Sequence, residues 1–232
     1  MQRITVLIGI FLDGTTTTCM YIVPTESIDK EVPKKLDFGI NGIIRHQKNG
    51  YITKELFEEF ITKILIPENL RRKTTFSNLG NMKPVLILDV CTSHQSESLE
   101  FFSVIFIPPH SSHIFQTCDA LLFSLIKNVY NTQLQQMLIH VKKDQKKDVS
   151  TNSCNIIAVV TAVQSTTTNY QYITKSFGRV GLTVQYSEYN QPVACFNPKT
   201  DHITNYVKNL DLLQNSSVIL ENSRKRIAVE DI

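Results

Sequence analysis

The chain has 232 residues, of which 42% are hydrophobic and 19% charged, with a net charge of +3. That is enough apolar material to bury roughly 70% of the unfolded surface, which excludes wholesale disorder, and the charge is too small to demand an anionic partner. The five cysteines, Cys19, Cys91, Cys118, Cys154 and Cys195, are scattered and form no C-x-x-C pair, which argues against a disulfide scaffold or a zinc finger and suits a reducing compartment.

The opening stretch "RITVLIGIFL" is β-branched and apolar. It reads as a buried strand that runs into a turn at Asp13-Gly14, and not as a signal peptide. "TTCMYIVP" is the return strand of a hairpin. Residues 24–50 hold Pro24, Pro33 and several glycines and read as a loop with one short strand. No run approaches the ~20 apolar residues that a membrane span needs.

Thr53 suits an N-cap for the next segment, and Arg71 and Arg72 suit the negative end of a helix dipole. Leu56, Phe57, Phe60, Ile64 and Leu65 form one helical stripe between them, with Pro67 expected to end or kink the helix. "PVLILDV" and "SVIFIPP" are short and uniformly apolar, as in strands buried on both faces of a sheet. A short helix over 95–102 lies between them. A long helix is expected from Ala120 to about Asp148, then helices at "NIIAVVTAVQ" and "NYQYITKSFGRVG". After about residue 185 the pattern fades into a charged tail. The order predicts a mixed α/β layer with helices packed on a central sheet. The domain core falls over 1–148, further helices of the same domain over 149–185, and an irregular, flexible tail over 186–232.

Two acids stand apart, each at the edge of an apolar run: Asp89 after "VLIL", and Asp119 after the loop "HSSHIFQTC". Ligands in open α/β sheets gather at the carboxyl ends of strands. A bland alternative makes Asp119 a helix-start residue and Asp89 a strand-end turn residue. Asp13 sits at the hairpin tip, away from such edges.

The stretches "LILDVCTSHQS" and "VIFIPPHSSHIFQTCDALLFSLIKNVY" resemble the DDE transposase-type nucleases, and within them the pogo, Tigger, jerky and centromere-protein-B branch of the mariner superfamily. The matching positions are Asp89, Ser93, His94, Ile107, Pro108, Pro109, Ser111, Ser112, Gln116, Asp119 and Lys127. The hairpin "RITVLIGIFLDGT", the helix "GYITKELFEEFITKILIP" and the closing "ITKSFGRVGL" are similar to the family's in the same order, so the likeness runs from residue 2 to about 183. It implies an RNase H-like mixed sheet flanked by helices, and Mg²⁺- or Mn²⁺-dependent cutting and strand transfer of DNA. Two-metal phosphodiester cleavage needs carboxylates from distant segments at one point. In that light Asp89 and Asp119 are catalytic acids and metal ligands, with His94 and Gln116 beside them. Lys127 matches the family's helix lysine as a nucleic-acid contact, and the basic cluster Arg71, Arg72 and Lys73 is a candidate for phosphate contact. The nucleus, DNA as partner and a homodimer follow from the same likeness.

The chain departs from the family in places. Nothing matches the family's first acid and first strand, or its helix-turn-helix domains. Thr117-Cys118 replaces the usual Pro-x before Asp119, and Val90 replaces an Asn. A chain of this kind is expected not to cut DNA by itself; the alternative function is a non-catalytic DNA-binding or interaction module domesticated from a transposon. The cluster Lys142, Lys143, Lys146 and Lys147 is a further candidate for phosphate contact. A zinc hydrolase built on His94, His110 and His113 lacks helical spacing. A nucleophile at Cys91 or Cys118 lacks a partner signature.

Overall fold

The computed structural model describes residues 3–24, 42–75, 83–94, 96–108, 111–143, 151–186 and 192–196. The opening hairpin forms as predicted: β1 (Thr5–Leu7) pairs antiparallel with β2 (Cys19–Val23), Thr5 opposite Ile22. Its regular pairing is shorter than the apolar run, with only an isolated bridge between Ile10 and Thr16 nearer the turn. Gly14 takes a φ of 87° there, a conformation that a side chain disfavours. The short strand expected within 24–50 is β3 (Gly42–His46), which lies parallel to β2 with Tyr21 opposite Ile44. Residues 25–41 lie outside the described residues.

β2 is the centre of the molecule, and every one of its residues is buried. Alternation sends Cys19, Tyr21 and Val23 to one face, where they meet Ile156, Val160 and Val163. Met20 goes to the other, against Phe57, Phe60, Ile61, Ile64 and Leu65. Each large aliphatic side chain fully buried in this way contributes about 1.5–3 kcal/mol.

The helical stripe predicted for 53–72 is one of these two layers. Thr53 is the N-cap, its side chain accepting from the Leu56 N–H. α1 (Lys54–Phe60) runs through a π-helical turn, Ile61–Leu65, into α2 (Ile66–Thr75). Pro67 was expected to end or kink this helix; the helix instead continues through it. The wide turn directly before Pro67 absorbs the ring, which an α-helical i−4 spacing cannot accept. β3 is tied to this layer by a two-pronged pair, Arg45 Nη2 to Glu59 Oε1 at 2.6 Å and Arg45 Nε to Glu59 Oε2 at 3.0 Å.

"PVLILDV" and "SVIFIPP" are strands, β4 (Val85–Asp89) and β5 (Ser103–Ile107), parallel and in register with Asp89 opposite Ile107. They are not buried on both faces. Leu86, Leu88 and Val104 pack under the α1–α2 layer, but Val85, Ile105 and Phe106 are 62%, 55% and 52% exposed. Val85 and Ile105 lie on the face away from that layer and Phe106 on the same face as Leu86 and Val104, while Ile107 is buried. The short helix between them is a 3₁₀ segment, Glu97–Phe101.

The long helix begins earlier than Ala120. A short α3 (Ser112–Phe115) leads into a π-helical turn, Cys118–Leu122, and then α4 (Phe123–Lys143); residues 144–148, the rest of the predicted helix, lie outside the described residues. α5 (Thr151–Thr167) supplies the second layer on β2, and α6 (Tyr170–Arg179) starts at Asn169, whose side chain caps the Gln171 N–H. Where the sequence pattern fades, β6 (Leu182–Tyr186) and β7 (Pro192–Phe196) form an antiparallel hairpin. The fold is mixed α/β, with helices on both faces of β2, and it is compatible with an RNase H-like core.

Candidate functional site

Asp89 is the last residue of β4, at the carboxyl edge of the parallel pair. Its side chain is 35% exposed. The chain turns at once into a 3₁₀ turn, Thr92–His94, closed by the His94 N–H on the Cys91 carbonyl at 3.0 Å. This folds His94 back over the acid. His94 Nδ1 stands 2.8 Å from Asp89 Oδ1 and 3.4 Å from the Asp89 carbonyl oxygen. The approach to Oδ1 is close in distance but not aligned as a hydrogen bond. Oδ1 is therefore buried with no hydrogen-bond donor among the described residues.

That oxygen is chemically conspicuous. A buried acceptor without a donor costs about 1–3 kcal/mol, and a divalent cation is one group that would satisfy it. Mg²⁺ binds through one or two carboxylates, retained waters and substrate phosphates, so a carboxylate with one unsatisfied oxygen at a strand end fits such an ion.

Asp119 lies in the first turn of the π-helical segment Cys118–Leu122 and is exposed. Its turn is anchored from two sides. The Ala120 N–H donates to the Gln116 carbonyl at 3.0 Å, and Arg179 Nη1 of α6 donates to the Ala120 carbonyl at 3.1 Å. Gln116 thus holds the turn through its backbone. Burial pushes the neighbouring Cys118 thiol up to about 12, with the Asp119 charge adding to the effect, which makes Cys118 a poor nucleophile at neutral pH. Asp89 and Asp119 sit on separate elements. Among the described residues, no group of three or more His, Cys, Asp and Glu side chains is placed to hold a metal ion.

The basic residues differ in their engagement. Arg72 is 12% exposed and donates from Nη1 to Asp13 Oδ2 at 2.7 Å, from Nε to Glu68 Oε1 at 3.1 Å, and from Nη2 to the Thr15 hydroxyl. Its guanidinium also lies 3.6 Å from the centroid of the Phe11 ring. Arg71 pairs with Glu68 at 2.6 Å. Lys73 reaches over Phe101, 5.6 Å from the ring centroid. Lys127 is exposed on α4. Asp13, placed by the sequence at the hairpin tip, is the acid that anchors Arg72. Its carboxyl is held below its ordinary value by Thr15 and Arg72, against the opposing effect of burial. The side chains of His113, Lys142 and Lys143, and the whole of His110, Lys146 and Lys147, lie outside the described residues.

The sequence did not single out Glu58 or Arg179, and it read Phe57 only as core. Phe57 stacks on His94 with ring centroids 4.6 Å apart and planes 27° apart. The Glu58 carboxylate accepts from the hydroxyls of Ser96 and Ser98. These partners are nearly forty positions apart in the chain, so no local pattern reveals them.

No helix among the described residues is long and apolar enough to cross a membrane. Searches of the curated proteins and of the solved structures find no match to the chain. The sequence model of the DDE superfamily endonuclease family matches residues 1–177, a span that holds both acids, His94 and every helix from α1 to α5. Endonucleases of this superfamily generally use divalent metals, in keeping with the unsatisfied oxygen of Asp89. The chain belongs to the DDE superfamily of endonucleases.

Proposed function

We propose that this chain is a transposase-derived nuclease domain of the pogo–Tigger–jerky–centromere-protein-B branch, acting on DNA in the nucleus. Asp89 and Asp119 are its metal-binding acids. The observation that carries this reading is Asp89: a carboxylate at the carboxyl edge of a parallel strand pair, with one oxygen buried and faced only by the misaligned Nδ1 of His94 at 2.8 Å. Mg²⁺ or Mn²⁺, when bound, would activate a nucleophile and stabilise the leaving oxygen of a phosphodiester. The protein's own part is to present Asp89 Oδ1 at the strand end and Asp119 at the start of a helical turn that Gln116 and Arg179 brace. Lys127, exposed eight positions beyond Asp119, is the basic residue we assign to backbone phosphate. Arg71 and Arg72 would have to leave Glu68 and Asp13 to serve in the same way.

The test is nicking of supercoiled plasmid in Mn²⁺ or Mg²⁺ by the parent, Asp89→Ala and Asp119→Ala. Cutting by the parent that both variants lose supports a working nuclease site. Salt-dependent DNA binding without cutting supports the second reading, a DNA-binding module domesticated from a transposon. A parent that neither cuts nor binds DNA refutes both.

A further inference from the structure

Backbone pairing fixes where Asp89 begins, since it is in register with Ile107 of β5, but it does not fix where the carboxylate points. The nearest side chain is His94, carried on a three-residue 3₁₀ turn. Such a turn has weak hydrogen-bond geometry of its own and needs an external anchor. Two adjacent residues of α1 supply one. Phe57, 3% exposed and embedded in the α1–α2 core, lies against the His94 ring at 4.6 Å. Glu58 receives the Ser96 and Ser98 hydroxyls just beyond the turn, and those two donors hold its carboxyl below the ordinary value. Glu58 is thus a carboxylate committed to the loop, while Phe57 is a rigid surface for the imidazole.

We propose that Phe57 and Glu58 are positioning residues of the Asp89 site: Phe57 sets the plane of His94, and Glu58 fixes the chain that follows it, so that α1 aims the Asp89 carboxylate. This deepens the reading of Asp89 as a metal ligand and rests on it. Groups that orient a ligand from behind typically change metal affinity by about 10–100-fold when removed. Glu58 holds two hydroxyls, and glutamine keeps one carbonyl acceptor for them. The effects should therefore be graded, with Glu58→Gln falling between the parent and Glu58→Ala. A residue that merely supports the fold would lower the melting temperature without a graded change in metal affinity.

The experiment is Mn²⁺ binding to the full chain, read from the loss of the free-ion electron paramagnetic resonance signal. Metal-free melting is recorded beside it. Glu58→Ala and Phe57→Leu are expected to weaken Mn²⁺ by about tenfold, Glu58→Gln by less, and Asp89→Ala to abolish binding. If Glu58→Ala fails to fold, the double variant Ser96→Ala with Ser98→Ala removes the same contact from the loop side and is expected to show the same loss. Should Asp89→Ala abolish binding while the Glu58 or serine variants bind within twofold of the parent, the positioning role is overturned and the Asp89 reading stands. Should Asp89→Ala bind Mn²⁺ like the parent, the Asp89 reading falls, and the positioning role falls with it.

Discussion

Replacing Asp89 with alanine should make the metal-free protein more stable and deaf to metal. The working starts from Oδ1, buried with no aligned donor. A fully buried orphan acceptor costs about 1–3 kcal/mol. The Asp89 side chain as a whole remains 35% exposed, so the lower end applies, and Asp89→Ala should gain about 1 kcal/mol in chelator. For a chain of this size that is a rise of about 2–4 °C in melting temperature. Metal reverses the order. An ion that binds only the folded parent at ten times its Kd adds about 1.4 kcal/mol by mass action, while the variant gains nothing. The two melting curves should therefore cross: variant above parent in EDTA, parent level or above in saturating Mn²⁺. Scanning fluorimetry or calorimetry over a Mn²⁺ series reads both limbs. A variant that melts below the parent in EDTA refutes the reasoning, because the carboxylate would then be a structural group that found its partner in solution. A variant that retains the Mn²⁺ shift refutes the assignment of the ion to Asp89.

The Arg45 fork, with Lys63 beside it, holds the Glu59 carboxyl down at about 2. A depressed carboxyl stabilises the fold above its unfolded value of 4.5 and loses that contribution as pH falls towards 2. Solvent screens the pair, so Glu59→Gln should cost about 1 kcal/mol at pH 7, a gap that narrows below the unfolded value of 4.5 and closes only as pH falls through about 2 in urea titrations. Arg72→Ala removes one donor each from Asp13, Glu68 and Thr15 and should cost about 2 kcal/mol by urea unfolding; a double-mutant cycle with Asp13→Ala should return a coupling of about 0.5 kcal/mol or more, and additive losses would refute the latch. Met20→Ala, at a position with no exposure, should cost about 2–5 kcal/mol. If Lys127 meets a phosphate, Lys127→Ala should lower the slope of log affinity against log salt by about one, whereas an unchanged slope removes that contact.

The parts of the fold legible in the sequence are those where a short period meets a complete environment. β2 alternates between two helical layers that both exist, so its residues are buried as the apolar run implies. The stripe from Leu56 to Leu65 marks a real interface because that helix has a single wet side. β4 and β5 look the same on paper and behave differently. A continuous apolar run shows that a strand can be buried twice; it does not show that a second layer is there. Val85 and Ile105, on the face away from the α1–α2 layer, are more than half exposed, and so is Phe106 on the other face. The π-helical turns escaped for another reason, since a single extra residue in a turn leaves hydrophobic spacing almost intact. Pro67 signalled a disturbance without saying whether the helix would stop or widen.

The candidate site divides along the same line. A strand that ends in an acid, followed five residues later by a histidine, is a local pattern, and the 3₁₀ turn brings those two side chains within 2.8 Å. What holds them there is not local. Phe57 reads as core and Glu58 carries no signal of its own, yet the first lies under His94 and the second binds Ser96 and Ser98. Charge patterning misled in the opposite direction at Arg71 and Arg72, which look like an open basic cluster until the fold brings Asp13 and Glu68 to them. A cluster of cations in sequence therefore measures available charge only before tertiary pairing is subtracted. By that measure the exposed Lys127 is the better candidate for phosphate than the arginines, and the salt dependence of DNA binding in single-residue variants is where the difference will show.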